Sequence, residues 1–281
     1  MSNVLAIAID SIRALLHKRI LLAVIVGMLI MTAIVYFGLG AISHFVDPEE
    51  LLEATEESST EEAQPALTEA EQLQRAQAAQ SQMAEILSVF YAFSAFGGII
   101  VGIYIGASAV SSEINKGSIA MVLSRPVARW QFLLGKYVGA VVVLLGYCAL
   151  IGAAMFFYTQ THEMGDIPAL RYTPWLTFCH CLMIGSLALT LSMVMHPALA
   201  GVLAFFSDFS WLFSLIPSEG FLYYLSMALP SYQLFNVSDQ FINNALVLGW
   251  YEVGMLTLYA FDLSVIFLVL AMWRLRYKEV S

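Results

Sequence analysis

Residues 132–158 read FLLGKYVGAVVVLLGYCALIGAAMFFY, 27 positions with one charged side chain, Lys136. At 1.5 Å per residue, a helix of about 20 residues crosses the roughly 30 Å hydrocarbon layer of a bilayer. This run is therefore long enough to span, and the same reading extends outward along the chain. Comparable apolar runs occupy 20–42, 86–110, 175–195, 197–217 and 251–273, predicting six transmembrane helices. The composition agrees: 60% of the 281 residues are hydrophobic and 12% are charged. A soluble domain averages about half apolar and about a quarter charged, so lipid is the expected solvent.

The net charge of −9 does not indicate a basic partner. Eleven of the 21 acids fall between Asp47 and Glu85, against the single cation Arg75, which leaves the remainder close to neutral. No basic patch with interleaved aromatics points to nucleic acid. Cys148, Cys179 and Cys181 all lie within apolar runs and define no disulfide framework. The first apolar run, Ile20 to Ile42, is longer than the core of a secretory signal, and no A-x-A cleavage site follows it directly.

Orientation follows from Lys and Arg, which concentrate on the cytoplasmic side. With both termini cytoplasmic, ten of the twelve cations lie inside and only Arg75 and Arg171 outside. Residues 2–19 read as an interfacial helix, with Asn3, Asp10, Arg13 and His17 on one side and Val4, Leu5, Ala8, Ile12, Leu15 and Leu16 largely elsewhere. A short soluble lead-in is the alternative. Segment 43–85 is an acidic extracytoplasmic arm in two helical parts: Asp47-Pro48 begins one, and the capping box Thr68-x-x-Glu71 begins the second, which runs into the second span. The arm reads as a solvated spacer or as a gate or docking surface. Segment 218–250, with Pro230 and Asn243-Asn244, reads as short helices in the outer leaflet. The whole chain, 1–281, reads as a single transmembrane domain.

Catalytic motifs are lacking: there is no H-E-x-x-H, and WQFLLGKY around Lys136 lacks the flanking residues of a phosphate loop. Asp208 and Asp262 each lie eleven residues from a predicted cytoplasmic span end, about 16 Å deep. Acids at that depth face protein or water, where they line a transport pathway or accept hydrogen bonds from neighbours such as Ser207, Ser210 or Ser264. Cys179-His180-Cys181, with Met155, His162 and Met164, invites a soft-metal reading. Adjacent helical positions diverge by about 100°, which favours a packed helix, and no metal is assigned.

The loop at 111–136 is the remaining anomaly. Glu113 and Lys116 stand three apart, Gly117 interrupts, 119–123 is apolar, and Arg125-Pro126 ends the segment before Arg129. It predicts a short amphipathic helix along the cytoplasmic surface over 111–130, with an apolar face suited to another protein's groove.

These residues resemble the membrane subunits of ATP-binding-cassette (ABC) exporters of type-2 permease architecture. The family pattern stands here as Glu113, Gly117-Ser118, Leu123-Ser124-Arg125-Pro126-Val127-Ala128-Arg129 and Leu134-Gly135-Lys136. Within the family, the chain is most similar to bacterial permeases grouped with multicopper-enzyme maturation and nitrous-oxide-reductase assembly, a likeness extended by Leu229-Pro230 and Leu234-Phe235-Asn236. The acidic arm departs from the more compact members. The resemblance implies an all-α membrane protein of the bacterial cytoplasmic membrane whose loop is a coupling helix for a separate ATPase subunit. It implies ATP and Mg²⁺ on that subunit, no cofactor in this chain, and pairing with a second copy or a sister permease. Glu113, Lys116, Gly117, Arg125, Pro126 and Arg129 become the expected ATPase contacts, with membrane-surface anchoring the alternative for the arginines. Two other classes remain open: an ion-coupled carrier using Asp208 and Asp262, and a membrane scaffold recruiting a partner through the acidic arm.

Overall fold

A computed structural model describes residues 2–16, 26–27, 30, 69–110, 128–161, 167–209, 230–242 and 247–277, giving only the backbone for 69–83. The helices are α1 (Ser2–Leu16), α2 (Glu69–Ser108), α3 (Arg129–Thr161), α4 (Thr173–Val194), α5 (Pro197–Asp208), α6 (Ser238–Ile242) and α7 (Trp250–Tyr277), with 3₁₀ turns at Pro168–Arg171 and Tyr232–Phe235. Among the described residues every regular element is helical. Within α2, residues Ala84–Ser108 are long and apolar enough to cross a bilayer, as are α3, α4 and α7 in full. Most of the predicted first span, the arm up to Thr68, and residues 111–127 of the cytoplasmic loop lie outside the described residues.

Small residues decide how this bundle packs. Lipid tails are as apolar as leucine, so helices associate where backbones can approach closely. Gly98, Gly102 and Gly106 recur every fourth residue and line one edge of α2. A Cβ on Gly102 would stand 2.8 Å from the Cys181 carbonyl oxygen, and one on Gly106 would stand 2.1 Å from that of Gly185. Any side chain here would separate α2 from α4. Helix α4 thus sits at the centre, packed against α2, α3, α5 and α7. Its buried hydroxyls turn inward: Thr177 donates to Thr173 O at 2.9 Å, Ser186 to Met183 O at 2.7 Å and Ser192 to Leu189 O at 2.7 Å. Hydroxyls satisfied in this way can be enclosed at little cost. Thr190 also reaches out, donating to Phe267 O of α7 at 2.8 Å.

A second glycine pair, Gly135 and Gly139, forms a notch in α3 that receives α1. Added Cβ atoms would meet Ile7 Cγ2 at 2.7 Å and Ser11 Cβ at 2.8 Å. Ala8, Ser11 and Leu15 are buried there, spaced as one helical face. Ser11 enters this contact because its hydroxyl donates to Ile7 O at 2.6 Å. Leu5, Ile9 and Leu16 point outward, beside exposed Asp10 and Arg13.

Of the predicted fifth span, 197–217, residues 210–217 lie outside the described residues. Its described helix is α5, twelve residues ending at Asp208. Phe209 leaves the helical conformation, its N–H closing back on the carbonyls of Phe206 and Ser207. At the other end, the predicted tight turn is present: extended His196 precedes Pro197 at the first turn, and its Nδ1 accepts from Ala198 N at 3.3 Å.

Candidate functional site

The last turn of α5 carries a carboxylate to a place where helix polarity opposes it. Unpaired carbonyls make a helix C-terminus partly negative, which disfavours Asp208 there. His180, seven residues into α4, answers this charge: its Nε2 lies 2.7 Å from Asp208 Oδ1. The side chains are 11% and 18% exposed, so the pair is largely withdrawn from solvent but still reachable. The imidazole stacks on Tyr232 with ring centroids 5.4 Å apart and tilts against Phe235 at 6.0 Å.

The turn Tyr232–Phe235 that supplies these rings is itself anchored. Tyr232, Phe235 and Val237 are almost fully buried. Tyr91 of α2 donates to Phe235 O at 3.3 Å, and its ring lies 5.5 Å from that of Phe241 in α6. Ser207 Oγ donates to Ala204 O at 2.6 Å and reaches the Tyr232 hydroxyl at 3.5 Å. Nearby, the Tyr172 hydroxyl donates to Gln240 Oε1 and accepts from Leu248 N, tying α4 to α6 and to the start of α7. Burial pushes the Tyr172 phenol above its usual range; the Leu248 N–H opposes that shift and the Glu252 charge adds to it.

Around the His180–Asp208 pair is a cleft of about 380 Å³, lined by Tyr91, Ala92, Ala95, Phe96 and Ile99 of α2, with Tyr232, Gln233 and Asn236 closing it. Among the described residues Asp208 is the one formally charged side chain in that lining, beside the His180 imidazole. Asn236 Oδ1 accepts from Ser238 N and Oγ, which leaves its amide N–H₂ to serve as a donor.

The other sequence-predicted residues are dispersed. Asp262 is exposed on α7 and does not line the cleft, so the two deep acids do not share it. The expected serine partners also differ: Ser207 and Ser264 donate to the carbonyls of Ala204 and Ala260, and Asp208 is paired with His180 instead. Cys179, His180 and Cys181 serve separate surroundings. Both cysteines are fully buried, with Cys181 Sγ against Gly98, whereas the imidazole faces the cleft. Arg129 lies at the start of α3, and its guanidinium donates to Leu275 O at 3.1 Å and Arg276 O at 3.3 Å. It thereby caps the last carbonyls of α7, the favourable end of a helix for a cation. Lys136 is buried, its ammonium 5.7 Å from the Phe132 ring centre. Glu113, Lys116, Gly117, Arg125 and Pro126 lie outside the described residues.

Sequence reasoning missed the His180–Asp208 pair because 28 positions and a tight turn separate the two residues. A usable signal was present: each is an ionisable group placed deep in an apolar run, and such groups tend to find one another.

Long apolar helices seated through glycine edges make this a multi-pass membrane protein. A family model described as ABC-2 family transporter protein matches residues 5–276, and the chain belongs to that family. It is the permease subunit of an ABC transporter, a class that normally works with an ABC ATPase. No curated protein matches the chain.

Proposed function

We propose that the chain couples a separate ATPase subunit to export across the bacterial cytoplasmic membrane, with both termini cytoplasmic. ATP and Mg²⁺ would bind on the ATPase, since the sequence holds no phosphate loop. Six spans supply half of a pathway, so two copies, or one with a sister permease, assemble. The Leu123–Arg129 and Leu229–Asn236 stretches support a place among the multicopper-enzyme-maturation and nitrous-oxide-reductase-assembly permeases.

The observation that carries the coupling is the Arg129 cap. Arg129 closes the 111–130 segment and holds the end of α7. Displacement of that segment by an ATPase would pull directly on the last span. Glu113, Lys116, Gly117, Arg125 and Pro126 then form the contact surface, and Arg129 passes the displacement on. The acidic arm stands apart from this route as a spacer or docking surface.

Gentle purification from the native host is the test, with an ABC ATPase subunit expected to co-elute. Glu113→Lys reduces that association by about tenfold or more, because a reversed charge meets its former partner's field, while the permease stays folded. Arg129→Gln keeps the association but lowers transport per ATP hydrolysed. Purification without any ATPase subunit overturns the reading, and normal association in Glu113→Lys removes Glu113 from the contact.

A further inference from the structure

The His180–Asp208 cleft has a definite charge preference. With the imidazole neutral the pair carries one negative charge, with it protonated the pair is neutral, and in neither state is it positive. Among the described residues the lining contains no Lys or Arg. An anion would therefore meet repulsion or no attraction, whereas a cation meets Asp208 and the carbonyl end of α5 together. A carboxylate offers about four acceptor positions. Among the described residues Asp208 uses one, towards His180 Nε2. In a place this largely withdrawn from solvent, unused acceptor capacity favours a donor brought by a ligand.

The walls narrow the class further. Phe96 is an exposed aromatic side chain of the lining, and the buried Tyr91 and Tyr232 stand behind it from two separate elements. Aromatic faces attract weakly hydrated organic cations, and their apolar bodies do not replace the water shell that a small inorganic ion gives up. The amides of Gln233 and Asn236 lie in the same lining, where they can hold a hydroxyl or carbonyl of the bound molecule. About 380 Å³ is within the range of small-ligand sites.

We propose that this cleft binds an organic ammonium group, held by Asp208 and the aromatic side chains of the lining, with His180 orienting the carboxylate. The proposal deepens the transport reading by naming the chemistry of a substrate or substrate portion, and it rests on that reading only for the step from binding to movement.

The test is equilibrium binding to the full chain in lipid nanodiscs, without ATPase or ATP, with protein-free nanodiscs subtracted. Benzylammonium, whose N–H groups can donate to Asp208, its neutral isostere ethylbenzene, and phenylacetate are the probes. The cation is expected to bind at least about tenfold more tightly than the other two. Asp208→Asn should remove that preference. Should Asp208→Asn fail to fold, Ala92→Leu carries the test: Ala92 is exposed and lines the cleft, so the larger side chain fills space without touching the pair. It should weaken the cation about tenfold. Equal binding of the three probes, a preference unchanged in both variants, or displacement of the cation by equimolar sodium would overturn the proposal. None of these outcomes depends on an ATPase, so the cleft assignment and the coupling assignment fail separately.

Discussion

Helices α4 and α7 are both apolar enough to cross a membrane, yet they occupy opposite environments. Helix α4 is enclosed by four neighbours, while α7 leaves Tyr251, Leu258, Val265, Val269 and Trp273 outward. Hydrophobicity does not distinguish them, because in lipid an outward leucine costs nothing. The distinction lies in side-chain size and in hydroxyl placement. Helix α4 presents Cys181, Gly185 and Ala188 to neighbours and satisfies its hydroxyls within the turn. Helix α7 carries bulky residues outward and keeps Ala260, Ser264 and Ala271 for the side that packs.

The strongest way to break this comparison is to place the same methyl group on each helix system. Gly106→Ala, with its Cβ driven to 2.1 Å from Gly185 O, should separate α2 from α4. Overpacking of this kind costs about 1–3 kcal/mol or more, read as a lowered midpoint of thermal unfolding in detergent. Gly254→Ala on α7 meets nothing within 4 Å, and should be neutral or raise the midpoint slightly, since Ala exceeds Gly in helix propensity by about 1 kcal/mol. Equal losses in both would show that glycine spacing is not what separates the helices. Next in size is Gly139→Val, which crowds Ser11 and Ala8 and should release α1 from α3, again at about 1–3 kcal/mol. A cysteine at position 8, buried in the parent, should then react with a water-soluble maleimide several times faster. The smallest effect falls on one of the direct ties between α4 and α7. Thr190→Val removes the hydrogen bond to Phe267 O, and such bonds in membrane proteins average about 0.6 kcal/mol. A loss above about 2 kcal/mol would mean that this bond holds α7 in place.

The long spans were legible because their signal is length and hydropathy, which tertiary packing does not alter. The second span is read from residues 86–110, and the helix spans Glu69–Ser108, so the predicted continuity between outer arm and membrane helix holds over that stretch. Which helix is central was not legible from hydropathy, but the four-residue spacing of Gly98, Gly102 and Gly106 contained that information. The end of α5 at Asp208 was hidden for a related reason: apolar residues continue through Trp211–Ile216, and hydropathy carries no record of where the backbone turns. The candidate site was half legible. Asp208 stood out as a costly acid, but its partner depended on how α4 and α5 fold back on each other. Arg129 was read as a surface contact, and its role at the end of α7 depends on a residue 146 positions away.

The α2–α4 seam has a mechanical consequence. Because backbone meets backbone between Gly102, Gly106, Cys181 and Gly185, no flexible side chains lie between the helices to absorb a shift. The two therefore translate together as one stiff rod. Its lower end, at Ser108, adjoins the loop beginning at residue 111, and its upper part carries both Tyr91 and His180. A push delivered to that loop would arrive at the cleft undamped, with the walls around Asp208 shifting against α5 rather than deforming.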